Sequence, residues 1–229
     1  MYFDPMYYVF ALPGLLLALY AQWRVKSAYS TYLRVPNALR LPGVRAAEIL
    51  LRQAGLAVNI EGTPGTLTDH YDPRKNVLRL SQEVATTPSV AAVAIVAHEV
   101  GHAEQQAQAY SLLRLRSGLV PVVNITSWLA PLLFFTGLFL NITQLAEVGL
   151  IFFSGAVVFA LVTLPVELDA SRRALRLLQS SGLVAEARDL QGARAVLSAA
   201  ALTYVAALAQ AILTMLYYAS LLSGRRRRD

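Results

Sequence analysis

Two histidines four residues apart, with a glutamate directly after the first, stand in Ala97-His98-Glu99-Val100-Gly101-His102-Ala103. On an α-helix such positions share one face, so both imidazoles can reach one ion. Glu99 is rotated by about 100° from His98, near enough to touch a water on that ion. The pattern suits metal-assisted hydrolysis. Neutral imidazoles hold Zn2+ with a position left open, the metal acidifies a bound water, and the carboxylate takes the proton as that water attacks a carbonyl. Without an ion, two histidines and a glutamate inside an apolar helix would be costly to bury. The residues therefore predict His98 and His102 as ligands and Glu99 as general base.

A catalytic zinc usually has three protein ligands. The chain has three histidines and no cysteine, so the third ligand is His70 or a carboxylate. Glu167, in Pro165-Val-Glu-Leu-Asp-Ala-Ser-Arg-Arg-Ala174, stands just beyond an apolar span, on the side expected for the His98 helix. Asp169 is the rival, but positions two apart on a helix point about 200° apart, so only one of them can face the metal. Glu167 is favoured over Asp169, with His70 behind both.

The elements that must position these groups follow from pattern. Pro42 to Leu56 has Ala46, Ile49, Leu50 and Leu56 at helical spacing and Gly55 as a stop. Ala57–Ile60 is short and β-prone, 61–65 is a turn by composition, and Thr66–His70 and Val77–Leu80 alternate. Together they predict a small sheet with a hairpin around Asp72-Pro73. Thr87-Pro88 resembles an N-cap with proline at the first helical position, opening a helix that runs to about Arg116.

The setting for all of this is apolar. Hydrophobic residues make up 56% of the 229 and charged ones only 15%, against about 25% charged in an ordinary soluble domain. Disorder, a fibre, an ordinary cytosolic enzyme, a disulfide scaffold and thiol chemistry are all excluded. Candidate spans are Met6–Gln22, Gly118–Leu140, Ile142–Leu164 and a long segment within 195–222. The start MYFDP has no base, so the first span reads as a retained anchor. Lys and Arg number none before the first span, eleven in 23–117, none in the link around Asn141, five in 165–194 and four in the tail. The positive-inside rule then places both long polar segments in the cytoplasm. Four simple spans would leave Arg225–Arg228 outside, unless the last segment is a hairpin or lies along the interface. The net charge of +6 is assigned to topology, and nucleic acid is not expected as a partner.

The expected fold is a mainly α membrane protein with about four apolar helices and a small α+β cytoplasmic unit. Its parts are an anchor (1–22), a cytoplasmic segment with the His98 helix (23–117), a transmembrane hairpin (118–164), a helix with the third ligand (165–194), and a C-terminal membrane helix with a basic tail (195–229).

Three stretches carry a resemblance: Leu67-Thr-Asp-His-Tyr-Asp-Pro-Arg74, Val96-Ala-His-Glu-Val-Gly-His-Ala-Glu-Gln105 and Pro165 to Ala174. They resemble the YugP-type bacterial membrane zinc metallopeptidases, along nearly the whole chain from Asp4-Pro5 to the basic tail. The layout is also similar to the HtpX and CaaX-prenyl-protease group, where a Glu-x-x-Ala-Asp motif follows two spans and its first Glu binds zinc. That motif falls on Glu167 and Ala170, and its aspartate position is occupied by Ser171. The resemblance implies a gluzincin-like unit in which an edge strand pairs with an extended substrate. Thr66, Thr68, His70 and Tyr71 would line that strand, with His70 or Tyr71 stabilising the oxyanion.

The function expected from residues and resemblance together is an integral-membrane Zn2+ endopeptidase of the bacterial inner membrane. It would have several spans and a site facing the cytoplasm, and would act on membrane or membrane-near polypeptides. Two alternatives compete. A site-2-type intramembrane protease would need Leu168-Asp169-Ala170 to serve as a ligand motif. A non-catalytic zinc-containing scaffold would close its metal with four protein ligands and would have no use for Glu99.

Overall fold

The computed structural model describes residues 5–184 and 186–226. Asp4, together with Arg227 and Arg228 of the basic tail, lies outside the described residues. The elements in chain order are α1 (Pro5–Leu33), α2 (Gly43–Gln53), β1 (Asn59–Thr63), β2 (His70–Asp72), β3 (Val77–Ser81), α3 (Gln82–Thr86) and α4 (Val90–Ala107). Three long helices follow: α5 (Ser111–Phe139), α6 (Thr143–Ser180) and α7 (Ala187–Arg226). The chain divides into two compact units. One comprises Met1–Tyr20, Arg114–Pro165 and Thr203–Asp229, and the other Ala21–Leu113 and Val166–Leu202.

The four expected apolar helices are present. Of the described helices, α1, α5, α6 and α7 are long and apolar enough to cross a membrane. In the first unit large apolar side chains point outward, Ile125 at 62%, Trp128 at 70% and Ile151 at 65% exposure, as a lipid solvent requires. Phe134 is fully buried in a small cluster with Ala146 and Leu222, and its ring lies 4.7 Å from that of Tyr218. Asn141, at φ 60°, makes the left-handed turn between α5 and α6, a conformation asparagine tolerates.

The helices outrun the spans. The boundaries expected after residues 22, 164 and 194 fall inside α1, α6 and α7. A helix satisfies its own backbone and need not stop where its apolar window stops. The last segment is one continuous helix, which overturns the hairpin route for reconciling the basic tail with the positive-inside rule.

The second unit is built around α4. Its first two turns are apolar on every side and almost wholly buried: Val90, Ala91, Ala92, Val93, Ala94, Val96 and Ala97 are all at 2% exposure or less, and Ile95 is half-buried. Leu50 of α2, Leu78 of β3, Val84 of α3 and Ala174 and Leu178 of α6 share that core. The α2 stripe is Ala46, Ala47, Leu50 and Leu51. Ile49, expected inside, is 38% exposed; it lies about 100° of helical rotation from Leu50, off the stripe. Gly55, at φ 66°, ends α2 as expected. The Leu56 N–H donates to the Leu51 carbonyl and the Gly55 N–H to that of Arg52, the paired closure typical of a left-handed cap.

Three sequence expectations are corrected. The alternating run from Thr66 does not form a strand; β2 begins at His70. Leu67 is left-handed at φ 57°, and the Thr68 hydroxyl turns back to the Pro64 carbonyl. The cap of α4 is Ser89, not Thr87. Its Oγ accepts from the Ala92 N–H at 3.1 Å, while Pro88 stays outside the helix. Nor does α4 continue to Arg116. It stops at Ala107 and reverses through Ala109 at φ 51°. An alanine there costs about 1–2 kcal/mol, so no glycine announces the break. The expected hairpin is present: β2 runs antiparallel to β3 with Tyr71 opposite Leu78. Pattern alone did not reveal that β1 pairs parallel to β3 on its other side, giving the order β1-β3-β2. β2 is thus an edge strand.

Candidate metal centre

α4 and α6 approach closely because Gly101 has no side chain. A Cβ there would fall 2.6 Å from the Ala170 carbonyl oxygen, backbone that cannot swing aside. This contact sits between the two turns of α4 that carry the histidines and faces the turn of α6 after Glu167. Gly101→Ala should therefore force the helices apart, at a cost of about 1–3 kcal/mol. Differential scanning in detergent should show a lower melting temperature.

One turn of α6 and two of α4 bring three ligand atoms together. The Nε2 atoms of His98 and of His102 each lie 3.3 Å from the same Glu167 oxygen, Oε2. The rings are nearly perpendicular, with centroids 4.8 Å apart. One ligand atom from each of the three lies within 4.8 Å of the other two. Among the described residues this is the grouping that could hold a metal ion, and neither His70 nor Asp169 belongs to it. The donor set fits zinc. The other ring nitrogens are engaged, His98 Nδ1 with Ser171 Oγ at 3.3 Å and His102 Nδ1 with Gln105 Oε1 at 3.0 Å. If Nδ1 carries the proton, two lone pairs and a carboxylate oxygen converge on one place, an arrangement that a cation resolves. Glu167 is almost fully buried. Burial works against a charged His102 imidazole, yet Glu167 and then Glu99 outweigh it and hold its pKa above the usual value.

Glu99 is buried beside this cluster, and its Oε2 accepts the Tyr71 backbone N–H at 2.9 Å. The edge strand β2 therefore touches the carboxylate directly. His70 is exposed; its Nδ1 lies 2.8 Å from the Thr68 carbonyl and its Nε2 3.5 Å from an Arg79 nitrogen. Asp69 and Asp72 brace the hairpin. Asp69 accepts the Ser81 N–H at 2.7 Å, and burial pushes its carboxyl up against that bond. Burial also pushes Asp72 up, but Arg79 at 2.8 Å and the N–H groups of the turn prevail and hold it below the usual carboxylate value. Asp169 pairs with Arg173 Nε at 2.6 Å and accepts from Gln105 Nε2 at 2.9 Å. Glu104 pairs with Arg173 and Arg176. Sequence reasoning did not single out Gln105. Its one available signal was its position three residues after His102, on the same helical face.

Comparison with known proteins agrees with this geometry. The family described as "Putative neutral zinc metallopeptidase" matches residues 7–223. The chain belongs to that family. Among curated relatives, the "Putative membrane protease YugP" of Bacillus subtilis (strain 168) is 42% identical over 223 residues, covering 96% of this chain and 99% of that protein. No solved structure matches. Within this metallopeptidase family the three converging side chains are this chain's candidate ligand set.

Proposed function

We propose that the protein is an integral-membrane zinc endopeptidase that hydrolyses peptide bonds of membrane or membrane-near polypeptides. The observation that carries this reading is the convergence of His98, His102 and Glu167 on one point, with Glu99 alongside, braced by the amide of an edge strand. His98, His102 and Glu167 would hold Zn2+, which when bound supplies an acidified water and a positive charge beside the scissile carbonyl. Glu99 takes the proton from the attacking water on its carboxylate and passes it to the departing amine. The Tyr71 N–H holds that carboxylate in place, so the base does not have to be ordered at each turnover. An extended substrate laid along β2 would present its backbone to this point, a gluzincin-like use of the edge. His70 and Tyr71, both on β2, are the residues we assign to that contact.

Three protein ligands leave a metal position open, as catalysis needs and a structural site does not. The bonds of Asp169 to Arg173 and Gln105 favour this reading over a site-2-type protease, whose second ligand motif would need that carboxylate. The Lys and Arg surplus of 23–117 and 165–194 supports a site facing the cytoplasm of a bacterial inner membrane. The test is metal removal. Detergent-purified protein should cleave an unfolded test protein, lose that activity on chelation and regain it with one equivalent of Zn2+. Cleavage that survives complete chelation would overturn the reading.

A further inference from the structure

The Nδ1 of His98 faces a neutral hydroxyl, Ser171 Oγ, at 3.3 Å. A carboxylate nevertheless reaches the cluster by another route. Gln105 is fully buried, and its Nε2 donates both to the Val166 carbonyl at 2.8 Å and to Asp169 Oδ2 at 2.9 Å. With two acceptors on the nitrogen side, the amide can point only one way. Its Oε1 must face His102 Nδ1, at 3.0 Å, and that nitrogen must carry the proton. The amide orientation therefore selects the tautomer that leaves the His102 Nε2 lone pair free on the side of Glu167.

We propose that Gln105 and Asp169 are positioning residues for the metal centre: an amide relay through which a carboxylate fixes and polarises His102. The proposal rests on the zinc reading of His98, His102 and Glu167. Asp169 draws on the Gln105 amide protons, which makes the amide oxygen a stronger acceptor and the imidazole a better donor to a cation. Arg173 keeps Asp169 in place. Its Nε bonds Asp169 at 2.6 Å, its Nη1 reaches Gln108 Oε1 at 2.6 Å and Glu104 Oε2 at 3.2 Å, and its guanidinium lies 5.8 Å from the Tyr110 ring centre. The Val166 carbonyl and Asp169 flank Glu167 on α6, so one amide ties the turn that presents Glu167 to the histidine that Glu167 faces.

The test measures zinc dissociation constants by chelator competition on the full chain in detergent, with the metal-free melting temperature recorded for each variant. Gln105→Met keeps the volume and removes all three hydrogen bonds. It should weaken zinc binding about 10–100-fold, the range typical of partners that orient a ligating histidine. Asp169→Asn keeps the packing and removes the charge. It should weaken zinc binding about tenfold, the low end of the same range, and shift the visible bands of the Co2+-substituted protein, even with melting unchanged. A purely structural role would lower the melting temperature and leave zinc affinity and the Co2+ spectrum at wild-type values. That outcome in Asp169→Asn overturns the proposal, even if Gln105→Met fails to fold. A wild-type chain that does not bind zinc would overturn the metal reading, and the proposal with it. Wild-type zinc binding that both variants retain unchanged overturns the proposal alone.

Discussion

Glu99→Gln is expected to lower kcat on an unfolded protein substrate about a thousandfold, within the 10²–10⁴ that a positioned general base contributes, while zinc content stays at one per chain. The substitution is close to isosteric, and the glutamine oxygen can still accept the Tyr71 N–H that now bonds Glu99 Oε2. The strand and helix should therefore remain in register. What is lost is the ability to accept a proton. A steady-state assay paired with metal analysis by atomic absorption checks both halves of the statement. A kcat within tenfold of wild type, with the site fully loaded, would remove Glu99 from the chemistry. Loss of zinc in the same variant would instead make it a ligand.

Glu167→Gln should have the opposite signature, with the metal lost first and activity only as a consequence. An amide oxygen is a poor substitute for a carboxylate on zinc. On the proposed ligand set, taking one of three ligands from a site worth about 10–16 kcal/mol should weaken binding by about 4 kcal/mol, or about a thousandfold. The effect is large because Glu167 is buried at 2% exposure and its Oε2 is shared by both histidines at 3.3 Å. The same dissociation measurement separates it from Asp169, two residues on, where Asp169→Asn should change affinity only about tenfold or less. Equal losses at the two positions would mean that the turn of α6, and not one carboxylate, holds the ion.

The part of this site written in the chain itself is the part that helix geometry makes local. His98, Glu99 and His102 fall on adjoining faces because four residues make about one turn, whatever packs around them. The four apolar helices were legible for a similar reason: lipid sets a length and a composition that a window of sequence can be measured against. The hairpin around Asp72-Pro73 followed from turn chemistry within a few residues.

The rest needed the fold, because it depends on atoms far apart in sequence meeting with hydrogen-bond accuracy. Helical rotation lets only one of Glu167 and Asp169 face the metal, and the position of Glu167 just beyond an apolar span favoured it. Only the packing of α6 on α4 at Gly101 and Ala170 brings Glu167 to the histidines and turns Asp169 toward Arg173 and Gln105. The amide of Tyr71 reaches Glu99 across 28 residues, since β2 lies at the sheet edge nearest α4. That placement follows from β1 pairing parallel to β3, and no local pattern encodes it. Likewise, the end of α4 at Ala109 comes from a backbone reversal without a glycine to mark it. Residue type and spacing determined which chemistry this chain could perform; the close approach of two helices, set by long-range packing, decided which carboxylate faces the histidines and which amide orients His102.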